Sequence, residues 1–175
     1  MQQGNTPPID PIDLSALNDR LHQAATQGDI PAMSSALVCG AELESKDGEG
    51  NTALHRAATR ITGRACAWLL ELGADADAGD RAGNRPLHMA ALLGSLPSCR
   101  PLWAHGADLD ALNDAGEAPI ASVADQFLPY AFLRAAGAQQ GACNAWSLSR
   151  IEAAVTVGAP DLLIAAIELD PGPPS

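Results

Sequence analysis

The sequence predicts an all-α solenoid, a fold in which short helical repeats stack side by side. Four apolar residues fall at intervals of 33 residues and open similar phrases (LHQAATQG, LHRAATRI, LHMAALLG and IASVADQF): Leu21, Leu54, Leu87 and Ile120. A fixed period of this length is typical of stacked repeats. Aromatic residues make up only 3% of the chain, which suits short helices whose narrow interfaces are filled by alanine and leucine.

The repeated phrases resemble the ankyrin repeat. Its T-P-L-H-x-A pattern appears in part in two stretches: Thr52-Ala53-Leu54-His55-Arg56-Ala57 and Arg85-Pro86-Leu87-His88-Met89-Ala90. The resemblance covers roughly residues 18–170. It implies that each repeat holds a turn, two short antiparallel helices and a return loop. The expected fold is therefore an ankyrin-repeat solenoid of stacked antiparallel helix pairs with hairpin-like finger loops.

One ankyrin-repeat domain is expected at residues 13–170, between flexible tails at 1–12 and 171–175. Its approximate repeats are 18–50, 51–83, 84–116, 117–147 and 148–170. The last of these is a divergent repeat, which we expect to act as the C-terminal cap. Because each repeat buries its apolar face only against its neighbours, the terminal repeats have to be atypical.

Helix start and stop residues recur along the chain. Asp13 or Ser15 can cap the first helix, and Gly28 can end it. Pro31 then opens the partner helix. Thr52 can cap the first helix of the second repeat. Prolines hold the matching first helical position later on, where a missing amide costs nothing: Pro86 and Pro119. Glycines follow the second helices: Gly40, Gly73 and Gly106.

A turn phrase precedes each new helix, at residues 47–51, 80–84 and 113–117. Asp or Asn followed by Gly in this setting predicts hairpin-like fingers.

Two positions further along the chain depart from the repeat pattern. Pro101, four residues after Pro97, should bend or shorten the second helix of repeat three. Repeat four is two residues short, which should alter its helix pair around residues 126–130.

The four cysteines are expected to be free, buried thiols: Cys39, Cys66, Cys99 and Cys143. Cys66 and Cys99 occupy the same position in successive repeats, and no CxxC pair indicates a zinc or redox site.

The N-terminus lacks the charged and apolar regions of a signal peptide, and no apolar stretch is long enough to span a bilayer. These features predict a cytoplasmic protein, with export by another route left open.

The formal net charge is −11, with ten basic against 21 acidic residues. This balance argues against nucleic acid or an anionic membrane as partner, since both require basic groups to neutralise phosphate. The acidity can serve solubility alone, or it can steer a basic protein partner.

No cofactor, metal site or catalytic group is predicted. Residues 75–80 resemble the start of a calcium loop, but Pro86 stands where the twelfth position requires a bidentate Glu. Histidines recur at the period of 33: His22, His55 and His88. The family resemblance implies that such histidines bridge the turn backbones of neighbouring repeats. Neither Gly-x-Ser-x-Gly nor a phosphate-binding loop occurs, so we expect no enzyme.

The family resemblance implies that partners bind along the concave side, which is formed by finger tips and exposed positions of the first helices. The matching finger residues are Glu49, Asn51, Arg81, Asn84, Asp114 and Glu117. The matching first-helix residues are Thr26, Gln27, Thr59, Arg60, Leu92, Leu93, Asp125 and Gln126.

Leu92 and Leu93 stand where the preceding repeats carry polar residues. Two adjacent leucines there suggest an apolar centre ringed by polar groups, as in a binding hot spot. The alternative is that one of them fills the core near Pro101. Trp146 offers a similar choice between a packed cap residue and a partner anchor. Trp68 and Trp103 lie on second helices and are expected to serve packing.

Three hypotheses on function follow. The first is a non-catalytic module, monomeric when unbound, that binds a protein partner on its concave face. The second is a bacterial immunity protein or inhibitor that neutralises a basic toxin. The third is a secreted effector that mimics host ankyrin adaptors, which the absence of the protein from a culture's extracellular fraction would contradict.

Overall fold

The computed structural model describes residues 13–60 and 62–122, together with Leu133, Ala136 and Gly137. Within these residues the chain forms six α-helices and a short 3₁₀ turn, and no strand. The helices are α1 (Leu14–Gln27), α2 (Ile30–Val38), α3 (Ala53–Ala58), α4 (Arg64–Glu71), α5 (Pro86–Leu92) and α6 (Leu96–Ala104), and the turn spans Pro119–Ser122. The expected tails, the helix pair around 126–130 and the fifth repeat lie outside the described residues.

The six helices form three pairs in two layers. Helix α1 packs on α2, α3 on α4, and α5 on α6. The first helices also pack in a row, α1 against α3 and α3 against α5, and the row continues into the 3₁₀ turn. In the second layer α4 packs on α6, whereas α2 and α4 have little contact. This arrangement confirms the all-α solenoid of stacked helix pairs.

The periodic apolar residues form the centre of the row. All four are at most 2% exposed: Leu21, Leu54, Leu87 and Ile120. Alanines on the same helices are buried between neighbours: Ala24, Ala25, Ala57, Ala58, Ala90 and Ala91. Their small side chains let the helices approach closely, so large aromatic residues are not needed here. Trp68 packs partly buried against this core, and Trp103 is also partly buried, consistent with a packing role.

The helix ends follow the expected residues closely. Asp13 caps α1, since its Oδ1 accepts hydrogen bonds from the amides of Ser15 and Ala16 at 3.1 and 3.3 Å. Gly28 ends the helix in the left-handed conformation, with φ of 74°. Helix α2 begins at Ile30, with Pro31 in its first turn.

Pro101 does not shorten its helix, so that part of the prediction was wrong. Helix α6 runs for nine residues and α4 for eight. Pro101 removes only the bond that its amide would donate to the Pro97 carbonyl, one turn back near the start of the helix. That carbonyl packs directly against Gly63, and a Cβ on Gly63 would overlap it.

Two of the cysteines are confirmed as free, buried thiols. Cys66 and Cys99 are fully buried, and burial raises the pKa of each thiol to about 12. Cys39 is also free but exposed, so the prediction of burial was wrong there. It is the C-cap of α2 and lies past the end of the packed helix face. Cys143 lies outside the described residues.

Substituting Gly63 should test the close packing between the α3–α4 loop and α6. Gly63 and Gly73 both have positive φ, 63° and 89°, but only Gly63 is crowded. Gly73→Ala should therefore cost about 1–2 kcal/mol of left-handed strain. Gly63→Ala should cost at least about 2 kcal/mol more because Pro97 must shift. Urea unfolding measures both, and equal losses would show that Gly63 is not crowded.

Candidate functional site

Three finger loops, at residues 47–51, 80–84 and 113–117, precede α3, α5 and the 3₁₀ turn. The first residue of each finger closes it: Asp47, Asp80 and Asn113. Its amide donates to the carbonyl of the last finger residue at 2.9–3.0 Å. Its side-chain Oδ1 accepts from two amides further along the finger at 2.8–3.0 Å. These bonds confirm the hairpin-like fingers predicted from the Asp/Asn and Gly pattern.

Neighbouring fingers are joined through their backbones. The Arg81 amide donates to the Glu49 carbonyl at 3.2 Å, and the Asp114 amide donates to the Ala82 carbonyl at 2.9 Å. Glycine makes this approach possible, because a Cβ on Gly50 would lie 2.8 Å from the Arg81 nitrogen. The finger tips therefore form one connected edge along the described repeats.

Two histidines tie each first helix to the next finger. His55 Nε2 lies 3.0 Å from the Asn84 carbonyl, and His88 Nε2 lies 2.9 Å from the Glu117 carbonyl. Each Nδ1 accepts from the amide three residues earlier, at 3.2 and 3.1 Å. Because Nδ1 is an acceptor, the proton resides on Nε2, which donates to the carbonyl. The bridging role implied for the repeated histidines is thus present in both repeats.

His22 makes the bridge differently. Its Nε2 lies 2.9 Å from the Ser45 carbonyl, while its buried Nδ1 has no hydrogen-bond partner within the described part of the chain. The amide three residues earlier belongs to Asp19, which lies inside the longer helix α1. That amide is directed along its own helix, so the first repeat lacks the donor that the later histidines use.

The neutral form of His55 and His88 is favoured by burial. Burial lowers the pKa of His55 below 6.5, although the bond to the Asn84 carbonyl acts in the opposite direction. Burial likewise lowers the pKa of His88, against the effect of the Glu117 carbonyl. Protonation would place a second N–H against the amide that each Nδ1 accepts, so the bridge requires the neutral ring.

An arginine that the sequence reading passed over organises the first finger. Arg56 Nη2 lies 2.5 Å from Asp47 Oδ2 and 3.0 Å from Glu49 Oε2. Burial opposes ionisation of Asp47, but the hydrogen bonds from Arg56 and from two finger amides outweigh it and lower its pKa. Arg56 occupies the variable position of the T-P-L-H-x-A phrase, where the pattern specifies no residue type.

Two predicted contact residues on this finger are engaged internally. Asn51 is only 3% exposed, and its Nδ2 donates to Glu49 Oε2 at 3.1 Å. Its side chain is therefore not available on the surface, contrary to the expectation, because the finger folds back over its own base. Glu49 remains exposed but is paired with Arg56.

The other predicted contact residues divide by exposure. Three finger residues are exposed: Arg81, Asp114 and Glu117. Asn84 is half-buried, and its Oδ1 accepts from Asn113 Nδ2 at 2.9 Å. On the first helices, Thr59 is half-buried, and five residues are exposed: Thr26, Gln27, Arg60, Leu92 and Leu93. Three lie outside the described residues: Asp125, Gln126 and Trp146.

The leucine pair ends helix α5. Leu92 is its last residue and Leu93 its C-cap, and they are 47% and 48% exposed. The equivalent positions one and two repeats earlier hold Thr59-Arg60 and Thr26-Gln27. Neither leucine fills the core, which favours the interpretation of a contact surface.

Carboxylates in the loops that follow the second helices accept hydrogen bonds from the backbone of the next repeat. The Asp77 carboxylate accepts from the Asp108 amide at 3.0 and 3.3 Å, and Glu44 Oε1 accepts from the Asp75 amide at 3.0 Å. Over the described ranges, no three His, Cys, Asp or Glu residues are grouped to hold a metal ion. No helix within those ranges is long and apolar enough to cross a membrane.

The ankyrin-repeat family model matches residues 21–113 in three copies, just over half of the chain. The chain therefore belongs to the ankyrin-repeat family. Ankyrin repeats are generally protein–protein interaction modules, and the family is typically non-enzymatic. A comparison with curated proteins finds no match.

The histidine bridges should make stability fall in mild acid. The unfolded chain takes up protons near pH 6.5, but His55 and His88 do so only at lower pH in the folded chain. The free energy of unfolding should therefore decrease as the pH falls below about 6.5, by up to about 1.4 kcal/mol per pH unit for each histidine. Urea unfolding at pH 7.5, 6.5 and 5.5 measures this slope.

Single substitutions identify the groups responsible for that slope. His55→Gln and His88→Gln should each lower stability at pH 7.5 and reduce the slope. His105→Gln is the control for removal of a histidine outside the bridges, since His105 is exposed and its ring bonds within its own helix, to the Pro101 carbonyl. A slope that persists in the His55→Gln/His88→Gln double variant would assign the effect to other groups.

Proposed function

We propose that the chain is a non-catalytic protein-binding module that holds one partner protein against its concave face. This face consists of the exposed finger residues Arg81, Asp114 and Glu117 and the exposed ends of the first helices. The observation that carries the proposal is the pair Leu92 and Leu93, both about half exposed in a row that is otherwise polar.

Energetics favour the leucine pair as the centre of the contact. Covering the remaining exposed surface of each leucine is worth about 1 kcal/mol. The exposed first-helix ends of the two preceding repeats are polar or charged, so a partner would bury an apolar centre beside a wet rim. The finger edge and the histidine bridges keep this surface in a fixed shape, which limits the entropy lost on binding.

The proposed module comprises residues 13–170 and works as a monomer in the cytoplasm, without cofactor. The free buried thiols of Cys66 and Cys99 suit a reducing compartment. The hypothesis of an exported effector gains no support from the described residues.

Replacing the leucines should weaken partner binding without unfolding the module. A partner would be captured on the full-length protein from native cell extract, identified by mass spectrometry and purified for affinity measurement. Leu92→Ser/Leu93→Ser should raise its Kd at least about tenfold, which corresponds to about 1.4 kcal/mol. Leu72→Ser provides the matched control, since Leu72 is 49% exposed but lies at the end of α4 in the second layer.

Circular dichroism should show the same helical content in all of these variants. An unchanged Kd in the double variant, or an equal loss in Leu72→Ser, would place the contact elsewhere on the protein.

A second candidate function is the neutralisation of a basic protein. It is favoured by a periodic row of carboxylates in the loops that follow the second helices, all exposed except for half-buried Asp77: Glu42, Glu44, Asp75, Asp77, Asp108 and Asp110. Such a row would attract a basic partner and speed association at low salt. The association rate of the captured partner should then fall steeply as salt rises from about 0.02 to 0.5 M. A rate independent of salt would exclude this steering.

A further inference from the structure

A groove of about 540 Å³ lies between the α1–α2 turn and the α3–α4 loop, beside the concave face. It opens where α2 and α4 have little contact with each other. Gly28, Asp29 and Pro31 line one side, and Arg60, Thr62 and Arg64 line the other. Two cationic side chains therefore share one groove in a chain whose net charge is −11.

The backbone that carries Arg60 is held in place from the neighbouring repeat. The Arg60 carbonyl accepts hydrogen bonds from Ser95 Oγ at 2.6 Å and from Ser98 Oγ at 2.9 Å. Both serines are almost fully buried at the start of α6. Gly63, in the same loop, packs against the Pro97 carbonyl. The loop is thus docked onto α6, and these contacts hold the backbone of Arg60 in place.

The opposite side of the groove leaves room for this arginine. A Cβ built on Gly28 would lie 3.7 Å from Arg60 Nε, so the guanidinium end of the side chain extends across the α1–α2 turn. Gly28 also adopts positive φ there, so glycine suits both the turn and the passing side chain.

The groove has positive charge without an internal partner. Within the described part of the chain, Arg60 and Arg64 form no ion pair, whereas Arg56 pairs with two carboxylates. Asp29 lies in the groove, but its Oδ1 caps α2 by accepting from the Ala32 amide. One carboxylate against two guanidinium groups leaves an excess of positive charge. A guanidinium binds a carboxylate through two parallel N–H donors, which makes an acidic side chain the best-matched ligand.

The groove adjoins the proposed apolar centre. Arg60 occupies in its repeat the position that Leu93 occupies in the next, 33 residues later. Packed helices lie about 8–10 Å apart, so a short extended segment of three or four residues can reach from one position to the other.

We propose that Arg60 and Arg64 bind the carboxylate of an Asp or Glu side chain in a partner segment whose nearby apolar residue contacts Leu92 and Leu93. This inference rests on the proposed concave-face function and specifies the chemistry of what that face recognises. It holds whether or not the carboxylate row at the other edge also attracts basic groups.

Panning a library of random 12-residue peptides against the full-length protein tests this recognition. Selected peptides should share an Asp or Glu within about four residues of a large apolar residue. In fluorescence-anisotropy titrations, changing that Asp to Asn or Glu to Gln should raise the peptide's Kd about tenfold. Arg60→Glu and Arg64→Glu should each raise it at least about tenfold. Arg20→Glu, an equal charge change at an exposed site on α1, should change it less than twofold.

The outcomes distinguish the groove from the leucine centre. Failure to select any peptide, selection of peptides without acidic residues, or equal effects of Arg20→Glu and the groove variants would overturn the proposed groove. Peptides that depend on Leu92 and Leu93 but not on the arginines would overturn the groove while supporting the concave-face function. Peptides that depend on the arginines alone would support the groove and count against the leucine centre. Unchanged circular dichroism and urea midpoints confirm that the variants fold.

Discussion

The bonds from His55 and His88 to the next finger are the constraint on which the rest of the structure depends. His55 and His88 each accept an amide at the start of their own helix and reach a carbonyl at the base of the following finger. One neutral ring thereby sets the position of a helix against its neighbour. Because repeats contact only adjacent repeats, the stack depends on local contacts, and this bond recurs 33 residues apart at His55 and His88. Loss of the ring would leave the Thr52 or Arg85 amide without its acceptor, and it would leave the finger carbonyl with only the bond from the first residue of its own finger.

Because the bridges and the buried core hold the repeats together, the exposed ends of the first helices are free to vary. The residues there change from Thr26-Gln27 through Thr59-Arg60 to Leu92-Leu93, although the buried alanines and leucines beside them hardly change. The face therefore runs from polar through cationic to apolar along the solenoid. A single partner that covers all three positions would have only one favourable orientation, since reversing it would place apolar groups against Arg60 and charge against the leucines.

The buried framework was largely predictable, since a 33-residue period shows directly which residues occupy equivalent positions. Leu54, Gly28 and the Asp47 turn could be assigned this way. Contacts between residues at non-equivalent repeat positions could not be predicted from the period. The pairing of Arg56 with Asp47 and the burial of Asn51 depend on how a finger folds over its own base. The docking of the Arg60 carbonyl on Ser95 depends on α6 of the next repeat. Pro101 does not shorten α6 because it removes only one bond, to the Pro97 carbonyl in the first turn of the helix.

In the proposed function, the repeated residues form the scaffold and the residues that depart from the repeat form the binding surface. A scan of all substitutions across residues 13–122, with cellular abundance and binding of the captured partner measured for each variant, separates these two roles. We predict that substitutions of His55, His88 and Asp80 lower abundance and binding together. Substitutions of Leu92, Leu93 and Arg60 should lower binding while abundance is retained. Binding losses confined to the second-layer helices, with Leu92 and Arg60 freely replaceable, would show that the binding surface lies elsewhere on the protein.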